Sequence, residues 1–106
     1  MMQNRLLQLF QKPKGIYHCS VFYNFSGGIG PSCIACDPLG RLFVGSYEIG
    51  LETGTIYVLS PSGELIRRLH VSGSEVTGLV VKDRTQLYVT EASTNSLQCI
   101  DLEKVL

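Results

Sequence analysis

At 106 residues, with 44% hydrophobic and 17% charged side chains, the chain has the composition of a globular domain with one modest core and too little length for a second domain. Nine basic and nine acidic residues cancel, which removes the electrostatic case for nucleic acid or an anionic membrane surface as partner. No apolar run approaches the roughly 18 residues of a spanning helix, and Met1 to Phe10 lacks the unbroken apolar region of a signal peptide, so a cytoplasmic location is the default expectation.

Taken in order, Asn4 to Leu9 (NRLLQL) has a helix-favouring composition. Its alignment with a later segment says otherwise. Arg5 to Phe10 falls on Thr55 to Ser60, and Pro13-Lys14-Gly15 falls on Pro61-Ser62-Gly63, which predicts a strand followed by a turn. Ile16 to Phe25 (IYHCSVFYNF) is aromatic and β-branched and reads as a second strand, on which His18 is a half-exposed strand residue rather than a ligand. Ser26 to Gly30 (SGGIG) is a flexible crossing. A strand follows it, not the helix N-terminus that a phosphate-binding loop requires.

Ile34 to Cys36, Leu42 to Val44, Ile56 to Leu59 and Glu64 to Val71 are short apolar runs bounded by Gly, Pro, Ser or Asp, the pattern of a four-stranded antiparallel meander. Asp37-Pro38-Leu39-Gly40 has the composition of a tight turn, and Pro61-Ser62-Gly63 of another. Tyr47 to Gly54 is a longer loop carrying Glu48 and Glu52. Cys33 and Cys36 form a CxxC inside a strand; three residues apart they point to opposite faces, so they are expected to be small core hydrophobes rather than a metal or redox pair.

The pattern then begins again. A shift of 45 positions puts Ile34 on Leu79, Ala35 on Val80, Leu42 on Leu87, Phe43 on Tyr88 and Val44 on Val89 without a gap. Val76 to Val81, Gln86 to Glu91 and Ser96 to Leu102 supply three more strands, separated by turns at Lys82 to Thr85 and Ala92 to Asn95. Units of roughly 40–50 residues that are each a small sheet are the blades of a propeller, which bury their faces only against neighbouring blades. The predicted fold is therefore all-β. It is a partial β-propeller of about two and a quarter four-stranded antiparallel blades: residues 1–30 give the last two strands of one blade, 31–71 a complete blade and 72–106 three strands of the final blade. Missing N-terminal blades, one of which would lend an outer strand, or self-association are expected to complete the ring.

The segment from Gly30 to Val44, then Gly54 to Glu64, Val76 to Leu79 and Gln86 to Thr90, resembles the closing blades of the senescence marker protein / gluconolactonase / regucalcin-like family. That resemblance implies a six-bladed propeller and hydrolysis of sugar lactones with one divalent cation, calcium or zinc, held in the central channel. It also implies an aspartate ligand in a Pro-Asp-Gly segment; the matching segment here is Pro31-Ser32-Cys33, in which Ser32 is a neutral hydroxyl without the charge of a carboxylate. Ser32 and its repeat equivalent Thr77 would face the channel, with Tyr47, Glu48 and Glu91 at its mouth. A catalytic triad has no support, because His18 and His70 fall on outer strands. Two functions follow as expectations: a metal-dependent lactonase acting on a small-molecule lactone, and a non-catalytic propeller that binds a protein or small molecule on its loop face.

Overall fold

The computed structural model describes the backbone of residues 5–12, 16–24, 30–47 and 53–106; within the first two of these segments it describes the side chains of Leu6 and Tyr23. Among the described residues the chain is all-β apart from one short helix. Its strands are β1 (Arg5–Lys12), β2 (Ile16–Asn24), β3 (Pro31–Cys36), β4 (Leu42–Ser46), β5 (Thr53–Leu59), β6 (Leu65–Ser72), β7 (Val76–Lys82), β8 (Gln86–Glu91) and β9 (Ser96–Asp101), followed by α1 (Leu102–Val105). They form three antiparallel sheets in chain order: β1-β2, β3-β4-β5-β6 and β7-β8-β9. The strand expected at Arg5 to Phe10 is present, so the repeat outweighs the local helix propensity there.

Each sheet is a meander because its turns are short and chemically suited. In the first turn of the middle sheet, Gly40 N–H donates to Asp37 O (3.0 Å), while the Asp37 carboxylate accepts from Leu39 N (3.1 Å), Arg41 N (2.8 Å) and Arg41 Nε (2.6 Å). Asp37 is thereby buried yet fully engaged, as a buried carboxylate must be. At Ser60 to Glu64 the Ser60 hydroxyl accepts from Glu64 N (3.0 Å) and closes the next hairpin.

The repeat carries through to hydrogen-bond register. Ile34 pairs with Val44 and Ala35 with Phe43 in one sheet; Leu79 pairs with Val89 and Val80 with Tyr88 in the other, each 45 residues on. Even the irregularity is duplicated: β3 shifts register between Pro31 and Cys33, and β7 shifts between Val76 and Gly78. One extra residue sits in each bulge, Ser32 in the first and Thr77 in the second.

The main core lies between the middle and last sheets. Phe43, Ile56, Val58, Leu69 and Val71 from one face of β3–β6 meet Val76, Leu79, Leu87 and Val89 from β7–β9, and Leu102 of α1 fills the end. Fully burying side chains of this size stabilises by about 1.5–3 kcal/mol each. The second strand of the middle sheet runs close to the first strand of the last: a Cβ added at Gly45 would lie 2.6 Å from Val76 Cγ1 and 2.7 Å from Cys33 Sγ, so β4 can lie this near β7 only without a side chain. A second cluster, Val44, Tyr57 and Leu59 on the opposite face of the middle sheet, packs against Leu6 and Tyr23.

Two expectations change in detail. Cys36 is exposed and Cys33 half-buried, so only Cys33 contributes to the core; strand alternation decides this, since the burial of β3 alternates residue by residue. The last strand stops at Asp101 instead of Leu102. There the Asp101 carboxylate accepts from Glu103 N (3.0 Å) as an N-cap, and Leu102 turns inward to 2% exposure. Arg67 and Arg68 are exposed on the edge strand β6, and Arg68 lies over the Tyr57 ring at 5.9 Å.

Candidate functional site

The strand ends at Ser46 and Glu91, the crossing from β6 to β7 and the loop after β8 converge at one end of the two larger sheets. Tyr47 leaves β4 and bridges Glu75 in the crossing, and Thr53 bridges Gly73 beside it. Tyr47 Oη donates to Glu75 Oε1 (2.9 Å), and Tyr47 N–H donates to Gly30 O (2.8 Å). The phenol's pKa is held above its ordinary value, first by that hydrogen bond to Glu75 and then by the negative charge of the same carboxylate.

Glu91 is the centre of this end. It is 2% exposed. Its Oε2 accepts from Glu75 N (2.8 Å) and Ser93 Oγ (2.5 Å), and its Oε1 accepts from Thr94 N (2.6 Å) and Thr94 Oγ1 (2.7 Å). A carboxylate offers about four lone-pair positions, and these contacts fill them. Burial acts to raise the Glu91 pKa; the donors Ser93, Thr94 and the Glu75 amide outweigh it and bring the group from 4.5 down to about 2. Ala92 N–H returns a bond to Glu75 O (2.9 Å), so the crossing and the loop are stitched in both directions. Gly73 completes the arrangement: at φ +88° it adopts the left-handed region, and a Cβ there would collide with the Glu91 carboxylate.

In the middle sheet the position equivalent to Glu91 is Ser46, paired with Pro31 as Glu91 is paired with Val76. Its hydroxyl accepts from Thr55 N (3.2 Å) and donates to Thr55 O (3.0 Å). Both residues tie the end of a second strand to its neighbours, one with a neutral hydroxyl and the other with a charge.

Ser32 and Thr77 sit at matched places in their bulges. The Thr77 hydroxyl faces Thr90 O (3.3 Å) and Thr90 Oγ1 (2.9 Å), and the Ser32 hydroxyl faces the equivalent carbonyl, Gly45 O (3.2 Å). Ser32 has a further and shorter contact, to Val76 O (2.5 Å) on the adjoining sheet. With one hydroxyl proton to donate, Ser32 gives it to that carbonyl, and so links β3 to β7 across the sheet interface.

Of the five sequence-derived candidates, the structure brings Tyr47 and Glu91 together through Glu75, and places Ser32 and Thr77 one bulge further in. Glu48 lies outside the described residues, as does Glu52. Glu75, Ser93 and Thr94 were missed. The Glu-Ala-Ser-Thr run after a predicted strand carried a signal, because hydroxyls two and three residues after a carboxylate can fold back on it. Nothing in the local sequence marks Glu75, whose part depends on the crossing's path.

A divalent cation needs carboxylate or carbonyl oxygens with free lone pairs converging on one point. Here Glu91 has all its acceptor positions occupied, and Ser32 and Thr77 offer only neutral hydroxyls, without the charge of a carboxylate, each bound to its own neighbours. Among the described residues no three His, Cys, Asp or Glu side chains are grouped to hold a metal ion. These residues do not fit the cation that the resemblance implies. Neither a protein-family model nor a curated protein matches the chain. Among the described residues no helix is long and apolar enough to cross a membrane.

Proposed function

We propose that the chain forms blades of a β-propeller and acts as a non-catalytic binding scaffold, presenting the end around Tyr47, Glu75 and residues 92–95 to a protein or small-molecule ligand. The observation that carries this reading is the duplication at 45 residues of strand order, register and bulge in two sheets stacked face to face. The binding role follows from how the polar groups are used. Glu91, Ser32 and Thr77 hold backbone in place, which makes a rigid platform for the exposed residues Tyr47 and 92–95.

A sugar-lactone hydrolase is the second reading, favoured by the order of segments shared with the gluconolactonase-like family. In it a divalent cation would polarise the lactone carbonyl, and Ser32 would stand where the family has its aspartate. Lactone hydrolysis with added calcium or zinc, together with calorimetric titration of either ion, separates the two. The scaffold reading expects turnover at the blank rate and no binding heat. If Ser32→Asp alone brings back both metal binding and turnover, the chain is a degenerate enzyme and the scaffold reading fails.

A further inference from the structure

We propose that the open edge of β6 is a docking edge for an acidic, extended segment of another protein, which adds to the middle sheet as a further strand. The inference goes beyond the scaffold reading, which uses the end around Tyr47, and does not rest on it. β6 ends its sheet in the order β3-β4-β5-β6, and no strand among the described residues pairs with its far side. Further blades would stack on the faces of the sheets and leave this side free, so the order of the meander itself opens the edge. Its extent is defined. The register between β5 and β6 shifts at Val58/Leu59, which makes Ile66 the extra residue of a bulge, and from Arg67 to Ser72 the pairing is regular. Ser72 O accepts from Gln98 Nε2 (2.9 Å), so Arg67 to Val71 is the unobstructed run. It contains neither Pro nor Gly.

Side chains set the class of occupant. Arg67, Arg68 and His70 are exposed, while Leu69 and Val71 between and beyond them are buried. The Tyr57 ring beneath Arg68 holds its guanidinium in place and leaves the N–H fork to a ligand. Among the described residues the one ion pair joins Arg41 to Asp37, and β5, which lies against β6, carries no acidic residue. Both guanidiniums of β6 are therefore uncompensated. Charge on an edge keeps strands from pairing with copies of themselves, and a second β6 would set arginine against arginine. Solubility alone does not call for it, since β2, which ends the first sheet in the same way, has no Lys, Arg, Asp or Glu in its 9 residues. A strand with carboxylates opposite Arg67 and Arg68 gains what a copy of β6 loses. An open row of backbone N–H and C=O groups pairs with a polypeptide and not with a nucleic acid, which favours an acidic peptide over other polyanions.

Fluorescence anisotropy tests this with a labelled, end-capped heptapeptide that alternates valine and glutamate, titrated with the full chain. The expected dissociation constant is roughly 10–500 µM, as for a small and transient interface. The same peptide with lysine for glutamate should not bind, and proline for its central valine, which removes a backbone N–H, should weaken binding about tenfold or more. Arg68→Glu should weaken the glutamate peptide about tenfold or more and admit the lysine peptide, while Lys82→Glu, the same change of charge on another sheet, should alter neither. Bound peptide should slow hydrogen exchange in β6, and unchanged exchange at β3 and β7 in each variant establishes that the sheets remain stacked. No binding at about 1 mM chain with β3 and β7 protected overturns the proposal. So does binding that the lysine peptide matches, or that proline or Arg68→Glu leaves intact. Equal binding of a single-stranded oligonucleotide, with no slowing of exchange in β6, would overturn it as well, by showing attraction of anions alone.

Discussion

The middle and last sheets are two versions of one design in different surroundings. Phe43 in the first is wholly buried and its counterpart Tyr88 in the second half-buried, while Ile56 is 0% exposed against 68% for Leu97. Sequence type does not make the difference, since both members of each pair are large and largely apolar. What differs is the presence of a neighbouring sheet. Burial in such a repeat belongs to the stack and not to the single unit, as expected where each unit contacts only the units beside it.

The most forceful way to break this comparison is to truncate both members of a pair. Phe43→Ala removes a fully enclosed ring between two sheets and should cost about 3–5 kcal/mol. Tyr88→Ala removes a ring that is open on one side and should cost about 1 kcal/mol under dilute conditions. Urea unfolding followed by far-ultraviolet circular dichroism gives both values. Equal costs would mean that the two faces are equally buried, and the account of an uncovered sheet would fail.

Legibility in the sequence divides along the same line. The strands, their order and the 45-residue repeat were readable, because alternation and turn chemistry are local and recur at matched positions. Even β1, whose residues favour helix, came out correctly once Arg5 to Phe10 was aligned with a later strand. The bulges at Ser32 and Thr77 were not readable, since a slip of one residue is fixed by the partner strand. The surroundings of Glu91 were not readable for a related reason: its burial arises when the crossing folds over it and contributes the Glu75 amide, and no local signal sets the path of that crossing. Cys36 and Leu102 show the same limit at single residues: one faces solvent by alternation, the other turns inward because Asp101 caps a helix.

A second test concerns charge. Ser46 and Glu91 occupy equivalent positions, and only Glu91 titrates. Its pKa is depressed to about 2 in the folded chain from 4.5, so its contribution is fully present above about pH 4.5 and is lost as pH falls towards 2. Hydrogen exchange should therefore show the amides of Glu75 and Thr94 losing protection through that window. The Thr55 amide, held by the neutral Ser46 hydroxyl, should lose it only with global unfolding. Glu91→Gln should flatten the difference, because the amide does not ionise. Parallel loss at Thr55 and Thr94 in the native protein would remove Glu91 as the cause.

The smallest expected effect lies in the first turns of the two sheets. In the middle sheet the positive φ falls on Gly40, at 83°. In the last sheet Asp83 and Arg84 take φ of 53° and 64°, and neither is glycine. Left-handed backbone costs a side-chain-bearing residue roughly 1–2 kcal/mol, and aspartate lessens that cost by hydrogen bonding locally whereas arginine does not. Arg84→Gly should relieve the strain, while the freedom that glycine adds to the unfolded chain offsets about 0.4–1 kcal/mol of it. A net gain of about 0.5–1 kcal/mol is expected, seen as a higher urea midpoint with unchanged slope. Gly40→Arg is the reciprocal experiment and should lose at least as much, since its Cβ would also approach Pro61 Cγ to 3.2 Å. A loss on Arg84→Gly would show that the arginine side chain holds this turn through contacts worth more than the backbone strain, and the two turns would then differ in what stabilises them as well as in sequence.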